Sequence, residues 1–159
     1  MKKKVVLAFS GGLDTSYCAL YLSKDLGYEV HTLTVNTGGF SAEELADIEK
    51  RALALGVASH RALEETKNYY DQVIRYLVFG NVLKNGTYPL SVSAERMSQA
   101  LASAKYAVSI GAQAVAHGST GAGNDQVRFD MVLQILGPGL EIITPIRDKK
   151  LSREAEIEY

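Results

Sequence analysis

Seven consecutive residues near the amino terminus have the side chains and backbone freedom needed to bind an anion. Residues 10–16 read Ser-Gly-Gly-Leu-Asp-Thr-Ser and directly follow a short apolar run. Two adjacent glycines allow a tight turn and a close backbone approach to a ligand. A helix that begins here adds unpaired N–H groups and the positive end of the helix dipole, while Ser10, Thr15 and Ser16 add hydroxyl donors. The segment therefore predicts a phosphate site.

Two familiar phosphate motifs do not match this segment. A Walker A loop requires a lysine that the segment lacks, and the dinucleotide fingerprint requires G-x-G-x-x-G at this turn. A loop that has hydroxyls and no lysine favours pyrophosphate as the bound group. The plainer alternative is a Gly-rich turn with Asp14 as an ordinary acid in the first helical turn.

A second glycine-rich segment has a different mixture of polar groups. Residues 117–129 read His-Gly-Ser-Thr-Gly-Ala-Gly-Asn-Asp-Gln-Val-Arg-Phe. Asp125 suits an amine or Mg²⁺, and Arg128 with Thr120 suits carboxylates, so the set predicts a zwitterionic ligand. Asn124 and Arg128 are four residues apart and share one helical face. The alternative is a helix cap at Asn124 with a surface pair to Arg128.

Alternating strand and helix patterns surround both segments. Apolar runs predict strands, and amphipathic stretches bounded by glycines or caps predict helices. The strands are expected at 5–9, 28–36, 57–63, 112–116 and 140–144, and the helices at about 14–26, 41–55, 64–83, 94–110, 124–136 and from 151. We therefore predict an α/β fold, a Rossmann-like parallel five-stranded sheet with helices on both faces. Both loops follow parallel strands and should meet at one sheet edge.

Composition limits the classes of function. The 159 residues fit one domain, and 47% hydrophobic content supplies a core. A net charge of −1 gives no support to nucleic-acid binding. The apolar run near the amino terminus is five residues long, too short for a signal peptide or membrane span. The lone cysteine, Cys18, favours a reducing, cytoplasmic location, and we expect neither a nucleic-acid nor a membrane partner.

These motifs together resemble a known enzyme family. Residues 10–16 resemble the PP-loop of the ATP pyrophosphatase superfamily. With residues 88–96, 117–129, 145–148 and 151–153, the chain resembles the argininosuccinate synthase family over nearly its full length. The resemblance implies that ATP and Mg²⁺ are used to join citrulline and aspartate through a citrulline-adenylate. It also implies no catalytic side chain, because the substrates supply both nucleophiles, with Asp14 and Asp125 in supporting roles.

The resemblance also assigns site residues position by position. The metal ligands stay unassigned. The matched ATP positions are Ala8, Phe9, Ser10, Gly11, Gly12, Leu13, Asp14, Thr15, Ser16, Val35 and Gly118. The matched citrulline positions are Tyr88, Ser93, Asn124 and Arg128, and the matched aspartate positions are Thr120, Asn124 and Asp125.

The chain departs from the family in sequence and in length. Ala122 stands where a lysine is typical, Ser91-Val92 replaces Gly-Thr, and residues 35–39 differ from the usual loop. Family members form homotetramers and carry a larger synthetase domain and a C-terminal tail. We therefore expect residues 1–159 to be the ATP-binding part of a longer protein, which by itself binds nucleotide with little turnover.

Two other functions stay open. One is a different PP-loop enzyme that adenylylates a tRNA base or a carboxylate, and the balanced charge disfavours the tRNA case. The other is a stand-alone ATP-binding module. Several further residues are expected to have structural roles: buried thiol Cys18, strand residues His31 and His60, loop-adjacent His117, helix-packing residues Tyr69, Tyr70 and Tyr76, and a solvated loop at 147–150 that contains Arg147.

Overall fold

A computed structural model describes residues 2–159 and contains the predicted parallel sheet. The strands are β1 (Lys4–Ala8), β2 (Glu29–Asn36), β3 (Ser59–Glu64), β4 (Leu83–Lys84), β5 (Tyr88–Pro89), β6 (Ala114–His117) and β7 (Glu141–Ile143). Five of them form one parallel sheet in the order β3-β2-β1-β6-β7, while β4 and β5 form a separate antiparallel hairpin. The fold class expected from the sequence is confirmed.

The helices follow the strands in the expected alternation. They are α1 (Leu13–Lys24), α2 (Ala42–Ala54), α3 (Thr66–Tyr69), α4 (Arg75–Phe79), α5 (Ser91–Ser109), α6 (Asp125–Leu136), α7 (Pro145–Lys149) and α8 (Arg153–Glu158), with a π-helical turn (Tyr70–Ile74) between α3 and α4. None of the helices described within residues 2–159 is long and apolar enough to cross a membrane.

The central strand β1 is buried on both faces because its apolar side chains alternate between two cores. Val5 and Leu7 pack with α1, α2 and α7 on one face of the sheet. Val6 packs with α5 and α6 on the other face. Along α5, Ala100 and Ala104 are almost fully buried. Their small side chains let this helix lie close to the sheet, and both layers therefore hold the carboxyl edge of β1 rigidly.

Several local predictions are confirmed in detail. The Ser41 hydroxyl accepts a hydrogen bond from the Glu44 N–H at 3.2 Å, and the Glu44 carboxylate accepts one from the Ser41 N–H at 2.8 Å. This reciprocal pair is the capping box expected at the start of α2. Gly27, Gly56 and Gly111 follow helices with positive φ, as expected for residues that end them.

Other boundaries differ from the predictions. The helix expected over 64–83, with a break near Gly80, ends at Phe79 and is capped by Gly80. It consists of three successive segments, because the π-helical turn interrupts the regular hydrogen bonding. The segment expected as a loop at 85–89 contributes strand β5, and α5 begins at Ser91 rather than 94. Residues 145–149 form helix α7 although 147–150 were expected to be a solvated loop, since Pro145 is pre-organised for a first helical turn.

Candidate functional site

An open cleft of about 690 Å³ lies at the carboxyl edge of the sheet. The ends of β1, β2 and β6, the first turn of α1 and one side of α5 form its walls. The ends of parallel strands are where open α/β sheets bind ligands. A Cβ atom placed on Gly118 would lie 3.3 Å from Thr15 Cγ2 and 3.4 Å from Asp14 C. The two glycine-rich loops therefore touch, which confirms that they share one edge.

The first loop presents an uncapped helix end to the cleft. Gly12 is the N-cap of α1 and has no side chain with which to satisfy the first-turn N–H groups. The hydroxyls of Thr15 and Ser16 donate to the Gly12 carbonyl at 3.1 and 2.8 Å. They stabilise the loop itself, so the backbone N–H groups are the donors available to an anion. This arrangement of uncapped backbone donors is well suited to phosphate oxygens.

Most of the positions matched to ATP line the cleft. They are Ala8, Phe9, Ser10, Gly12, Leu13, Asp14, Thr15, Val35 and Gly118. Gly11 and Ser16 do not. Gly11 lies behind the loop with φ of 75°, and its carbonyl accepts a hydrogen bond from Arg51 at 3.0 Å. Gly11 therefore determines the shape of the loop rather than its ligand-facing surface.

The second loop places Thr120, Ala122 and Asp125 on the cleft. The Asp125 carboxylate accepts hydrogen bonds from Arg96 at 3.3 Å and from Arg128 at 2.8 Å. The paired groups are thus three residues apart and not four. Asn124 occupies the N-cap position of α6, as the alternative expected, but its side chain makes no cap hydrogen bond, and Arg128 pairs with Asp125 rather than with Asn124.

The positions matched to citrulline, unlike most of those matched to ATP, lie outside the lining of the cleft. Of Tyr88, Ser93, Asn124 and Arg128, none belongs to the lining of the cleft among the residues described. Tyr88 lies in the β4–β5 hairpin with half of its surface exposed. Its ring contacts the Lys84 ammonium at 5.7 Å from the centroid. The structure therefore brings most of the ATP positions and two of the three aspartate positions, Thr120 and Asp125, to the cleft lining, whereas none of the citrulline positions lines it.

Helix α5 contributes cleft residues that the sequence reasoning missed. Glu95, Arg96 and Gln99 all line the cleft. The Thr37 hydroxyl donates to Glu95 at 2.6 Å, which ties the loop after β2 to α5, and Arg96 donates to Gln99 at 2.9 Å. Glu95, Gln99 and Ser103 recur every four residues on a helix that is otherwise rich in alanine. That polar stripe is the signal that would have identified them.

His117, at the end of β6, is buried at 2% exposure below the second loop. Its Nε2 lies 3.0 Å from Asp130 Oδ1, and its Nδ1 accepts the Ser119 N–H at 3.4 Å. Burial lowers the pKa of His117, so the ring is neutral near pH 7. Burial alone would raise the pKa of Asp130, but the hydrogen bonds from Arg147 and His117 hold it below its ordinary value. These contacts suit a supporting role for His117.

The expectation that Arg147 belongs to a solvated loop is wrong. Its side chain is 29% exposed and donates to Asp130 at 2.6 Å and to Gln126 at 3.2 Å. The partners lie on α6, and these two hydrogen bonds tie α7 to that helix. Arg147 is therefore part of the structure below the second loop.

A carboxyl pair lies beside the first loop. Glu156, on α8, is 7% exposed and faces Asp14. Burial, followed by the negative charge of Asp14, raises the pKa of Glu156. Of the residues described, no three His, Cys, Asp or Glu side chains are grouped closely enough to hold a metal ion by themselves. A Mg²⁺ ion would therefore need phosphate oxygens beside the Asp14 carboxylate, the coordination that Mg²⁺ usually has in nucleotide sites.

The structural roles predicted for the cysteine, two of the histidines and one of three tyrosines are confirmed, and those predicted for the other two tyrosines are wrong. Cys18 is fully buried, and burial raises the pKa of its thiol to about 12, which confirms an inert structural role. His31 and His60 lie on β2 and β3, where they contact Ser59 and Thr32. Tyr69 packs as expected, but the packing roles expected for two other tyrosines are wrong, because Tyr70 and Tyr76 are 54% and 61% exposed.

Comparison with known proteins agrees with this geometry. Residues 4–159 match the family model described as arginosuccinate synthase N-terminal HUP domain. The argininosuccinate synthase of Xylella fastidiosa is 48% identical over 146 residues, which cover 92% of this chain and 36% of that protein. The argininosuccinate synthase of Methanocaldococcus jannaschii is 42% identical over 159 residues, which cover 100% of this chain and 40% of that protein.

Two solved structures share the fold at low sequence identity. A predicted subunit of tRNA methyltransferase from Methanocaldococcus jannaschii superposes with a TM-score of 0.65 at 18% identity, covering 98% of this chain and 73% of that one. An NH3-dependent NAD synthetase from Campylobacter jejuni, in complex with nitrate, gives a TM-score of 0.54 at 19% identity, covering 76% and 48%. These likenesses establish the fold alone.

The sequence matches have much higher identity to this chain, 48% and 42%, than the two solved structures, at 18% and 19%. They extend over nearly all of this chain, whereas the chain spans only 36% and 40% of the two argininosuccinate synthases described above. The family match over residues 4–159 includes both loops, 10–16 and 117–129, which touch at Gly118. The chain therefore belongs to the argininosuccinate synthase family, in which it corresponds to the N-terminal HUP domain.

Proposed function

We propose that this chain is the ATP-binding part of an enzyme that joins citrulline to aspartate, giving argininosuccinate, AMP and pyrophosphate in arginine biosynthesis. The observation that supports this most directly is the uncapped start of α1 lying in contact with Gly118 across one cleft. The uncapped N–H groups of this helix start suit the phosphates of a nucleoside triphosphate, and the Asp125 side of the cleft suits an amino acid. The cytoplasmic location and the homotetramer expected for the whole protein stay predictions.

In the proposed reaction, the ureido oxygen of citrulline attacks the α-phosphorus of ATP. The bond to the β-phosphate breaks, and pyrophosphate leaves with the electron pair. The aspartate amine, after releasing a proton to solvent, then attacks the ureido carbon. The bond from that carbon to the AMP oxygen breaks, and AMP departs with the electron pair. The first-turn N–H groups of α1 would receive the negative charge that develops on the phosphates, because they are already oriented toward it. Mg²⁺, held by Asp14 and the phosphates, would neutralise further charge.

The aspartate subsite is proposed at Thr120, Asn124 and Asp125. Without a ligand, Asp125 is shared between the Arg96 and Arg128 guanidinium groups. An incoming amine would compete for this carboxylate and release a guanidinium toward the ligand carboxylates. Both sides of a zwitterion could then be bound by groups that already lie together.

The citrulline subsite is proposed at Tyr88, Ser93, Asn124 and Arg128, none of which is among the residues that line the cleft. We infer that residues beyond this chain complete the subsite, since the relatives it matches are more than twice as long. The 159-residue chain should therefore bind ATP and form little argininosuccinate. Formation of AMP and pyrophosphate from ATP, citrulline and aspartate by this chain alone would overturn that expectation.

Calorimetry with ATP and Mg²⁺ tests the nucleotide assignment. The Asp14→Asn variant should fold normally, because it removes a negative charge from beside buried Glu156. We expect ATP–Mg²⁺ affinity to fall at least about tenfold, the effect of losing one charge-assisted contact. Asp47→Asn is the matched control, since Asp47 lies on α2 and pairs only with exposed Lys50 among the contacts described. Unchanged affinity in Asp14→Asn would refute the assignment.

A stand-alone nucleotide-binding module is the second candidate. It is favoured by one observation, that the ATP positions are assembled while the citrulline positions are not. The two candidates differ in how they respond to amino acids. Aspartate that binds in the presence of ATP–Mg²⁺ supports the ligase, whereas ATP binding with no response to aspartate or citrulline supports the module.

A further inference from the structure

Arg147 lies at the centre of a hydrogen-bond network below the second glycine-rich loop. Its Nη1 donates to Asp130 Oδ2 at 2.6 Å and to Gln126 Oε1 at 3.2 Å. Both partners belong to α6, whereas Arg147 belongs to α7, which follows strand β7 in the chain. Arg147 itself does not line the cleft among the residues described. It can therefore influence a ligand only through the groups that it contacts.

The first arm of the network ends on the backbone of the loop. The other oxygen of the Asp130 carboxylate, Oδ1, lies 3.0 Å from His117 Nε2. His117 Nδ1 accepts the Ser119 N–H at 3.4 Å, so Nε2 must carry the proton and donate to Asp130. His117 is 2% exposed, so little water reaches its ring to replace these bonds. The chain of contacts thus runs from Arg147 to the start of the loop.

The second arm ends on the other side of the same loop. Because the Gln126 amide oxygen accepts from Arg147, its NH₂ group faces the opposite way. That NH₂ donates to the Gly121 carbonyl at 2.8 Å and to the Gly123 carbonyl at 3.5 Å. The two arms therefore hold Ser119 and Gly121, the residues on either side of Thr120.

We propose that Arg147 is a positioning residue that fixes the 117–124 loop through these two arms. The loop contains three glycines, which impose little conformational restriction of their own, so its order must come from outside contacts. The inference rests on the proposed function in one respect: the loop carries Thr120 and leads into Asp125, two of the proposed aspartate contacts. Removal of the guanidinium should release both sides of the loop together.

Amide hydrogen exchange at Ser119 and backbone ¹⁵N order parameters in residues 121–123 test the positioning directly and need no ligand. In Arg147→Met, exchange at the Ser119 N–H should accelerate at least about tenfold, because the His117 ring that accepts from it is no longer held. The order parameters of residues 121–123, which are held through their carbonyls, should fall below about 0.6. Arg147→Lys keeps the charge but not the two-way donor fork, and should restore part of the protection. Arg75→Met is the matched control, because the Arg75 guanidinium lies over the Tyr76 ring on exposed α4.

A second variant separates the two arms. Gln126→Glu retains an oxygen that accepts from Arg147 but has no N–H to donate to Gly121. The order parameters should fall in residues 121–123, while exchange stays unchanged at Ser119. A change at both places, or at neither, would contradict the two-arm arrangement. A folded Arg147→Met protein with unchanged Ser119 exchange and unchanged order parameters in residues 121–123 would overturn the proposal.

Calorimetry adds the functional readout. In Arg147→Met, aspartate affinity measured in saturating ATP–Mg²⁺ should fall at least about tenfold, whereas ATP–Mg²⁺ affinity should change much less. Equal aspartate affinities in the wild type and Arg147→Met would overturn the positioning role in binding. If the wild type binds no aspartate, the proposed function fails on that point, and hydrogen exchange still decides whether Arg147 positions the loop.

Discussion

Gly11 offers the sharpest test of how the first loop is built. Its φ is 75°, and a Cβ atom there would lie 3.2 Å from Ile48 Cγ1 and 3.5 Å from Arg51 Cζ. Gly27, after the end of α1, has a similar φ of 70° but no atom within 4 Å of such a Cβ. Alanine at the two sites therefore imposes the same backbone strain, and only one of the substitutions also forces a contact.

The expected magnitudes follow from these geometries. A left-handed backbone costs alanine about 1–2 kcal/mol, partly offset by about 0.4–1 kcal/mol from the less flexible unfolded chain. Gly27→Ala should thus destabilise the protein by about 1 kcal/mol. Gly11→Ala should lose about 1–3 kcal/mol more, because Ile48 is buried in the core and has little room to move.

The binding consequences should differ more than the stabilities. Relief of the contact with Ile48 requires the loop to shift by a few tenths of an ångström, which moves the first N–H groups of α1. We expect ATP–Mg²⁺ affinity to fall at least about tenfold in Gly11→Ala, equivalent to one weakened charge-assisted hydrogen bond. Gly27→Ala should bind as the wild type does.

Urea unfolding and calorimetry on both variants provide the measurements. Stabilities come from the denaturation midpoints at constant slope, and affinities come from titration at a temperature where both variants are folded. If Gly11→Ala binds ATP–Mg²⁺ as tightly as Gly27→Ala, the loop backbone does not determine phosphate binding, and the reasoning is refuted. Equal destabilisation of the two variants would refute the steric part alone.

Two further predictions concern charges around the cleft. Glu156→Gln should raise the melting temperature at pH 7 by a few degrees, because the raised pKa of Glu156 makes its ionisation costly to the folded state. This gain should vanish as the pH falls to about 4.5, the ordinary value at which the unfolded carboxyl is protonated, and a pH-independent gain in melting scans would contradict it. Ala122→Lys should tighten ATP–Mg²⁺ binding by about three- to tenfold at low salt, since Ala122 lines the cleft and a lysine there would add a positive charge near the phosphates. The gain should shrink with added salt, and calorimetry that shows equal affinities at low salt would place the phosphates elsewhere.

Much of the fold could be predicted because its signals are local. The apolar run of β1, the capping box at Ser41 and the glycines that end helices each act through neighbouring residues. The errors also have local causes. The π-helical turn keeps a helical sequence pattern, so the break before Arg75 leaves no trace in the periodicity.

The candidate site was predicted unevenly for the same reason. The residues of the two glycine-rich loops could be identified from their composition and spacing in the sequence. Glu95 and Arg96 do not, because their place in the cleft depends on how α5 docks against the sheet. Glu95 contacts Thr37 across 58 residues of sequence, and no single segment contains that pairing.

The sequence by itself therefore determined the strand–helix alternation, the uncapped start of α1 and the meeting of two glycine-rich loops at one edge. Each follows from short-range backbone preference and from the geometry of parallel strands. Only the tertiary structure decided which side chains support those loops. Arg147 reaches Asp130 across strand β7, and Glu156 of α8 faces Asp14 of α1 from the other end of the chain, because the fold brings separate segments together on a common sheet. Arg147 lies in a segment whose sequence predicted a solvated loop, and its hydrogen bonds arise only from the tertiary fold, so the local sequence pattern could not predict them.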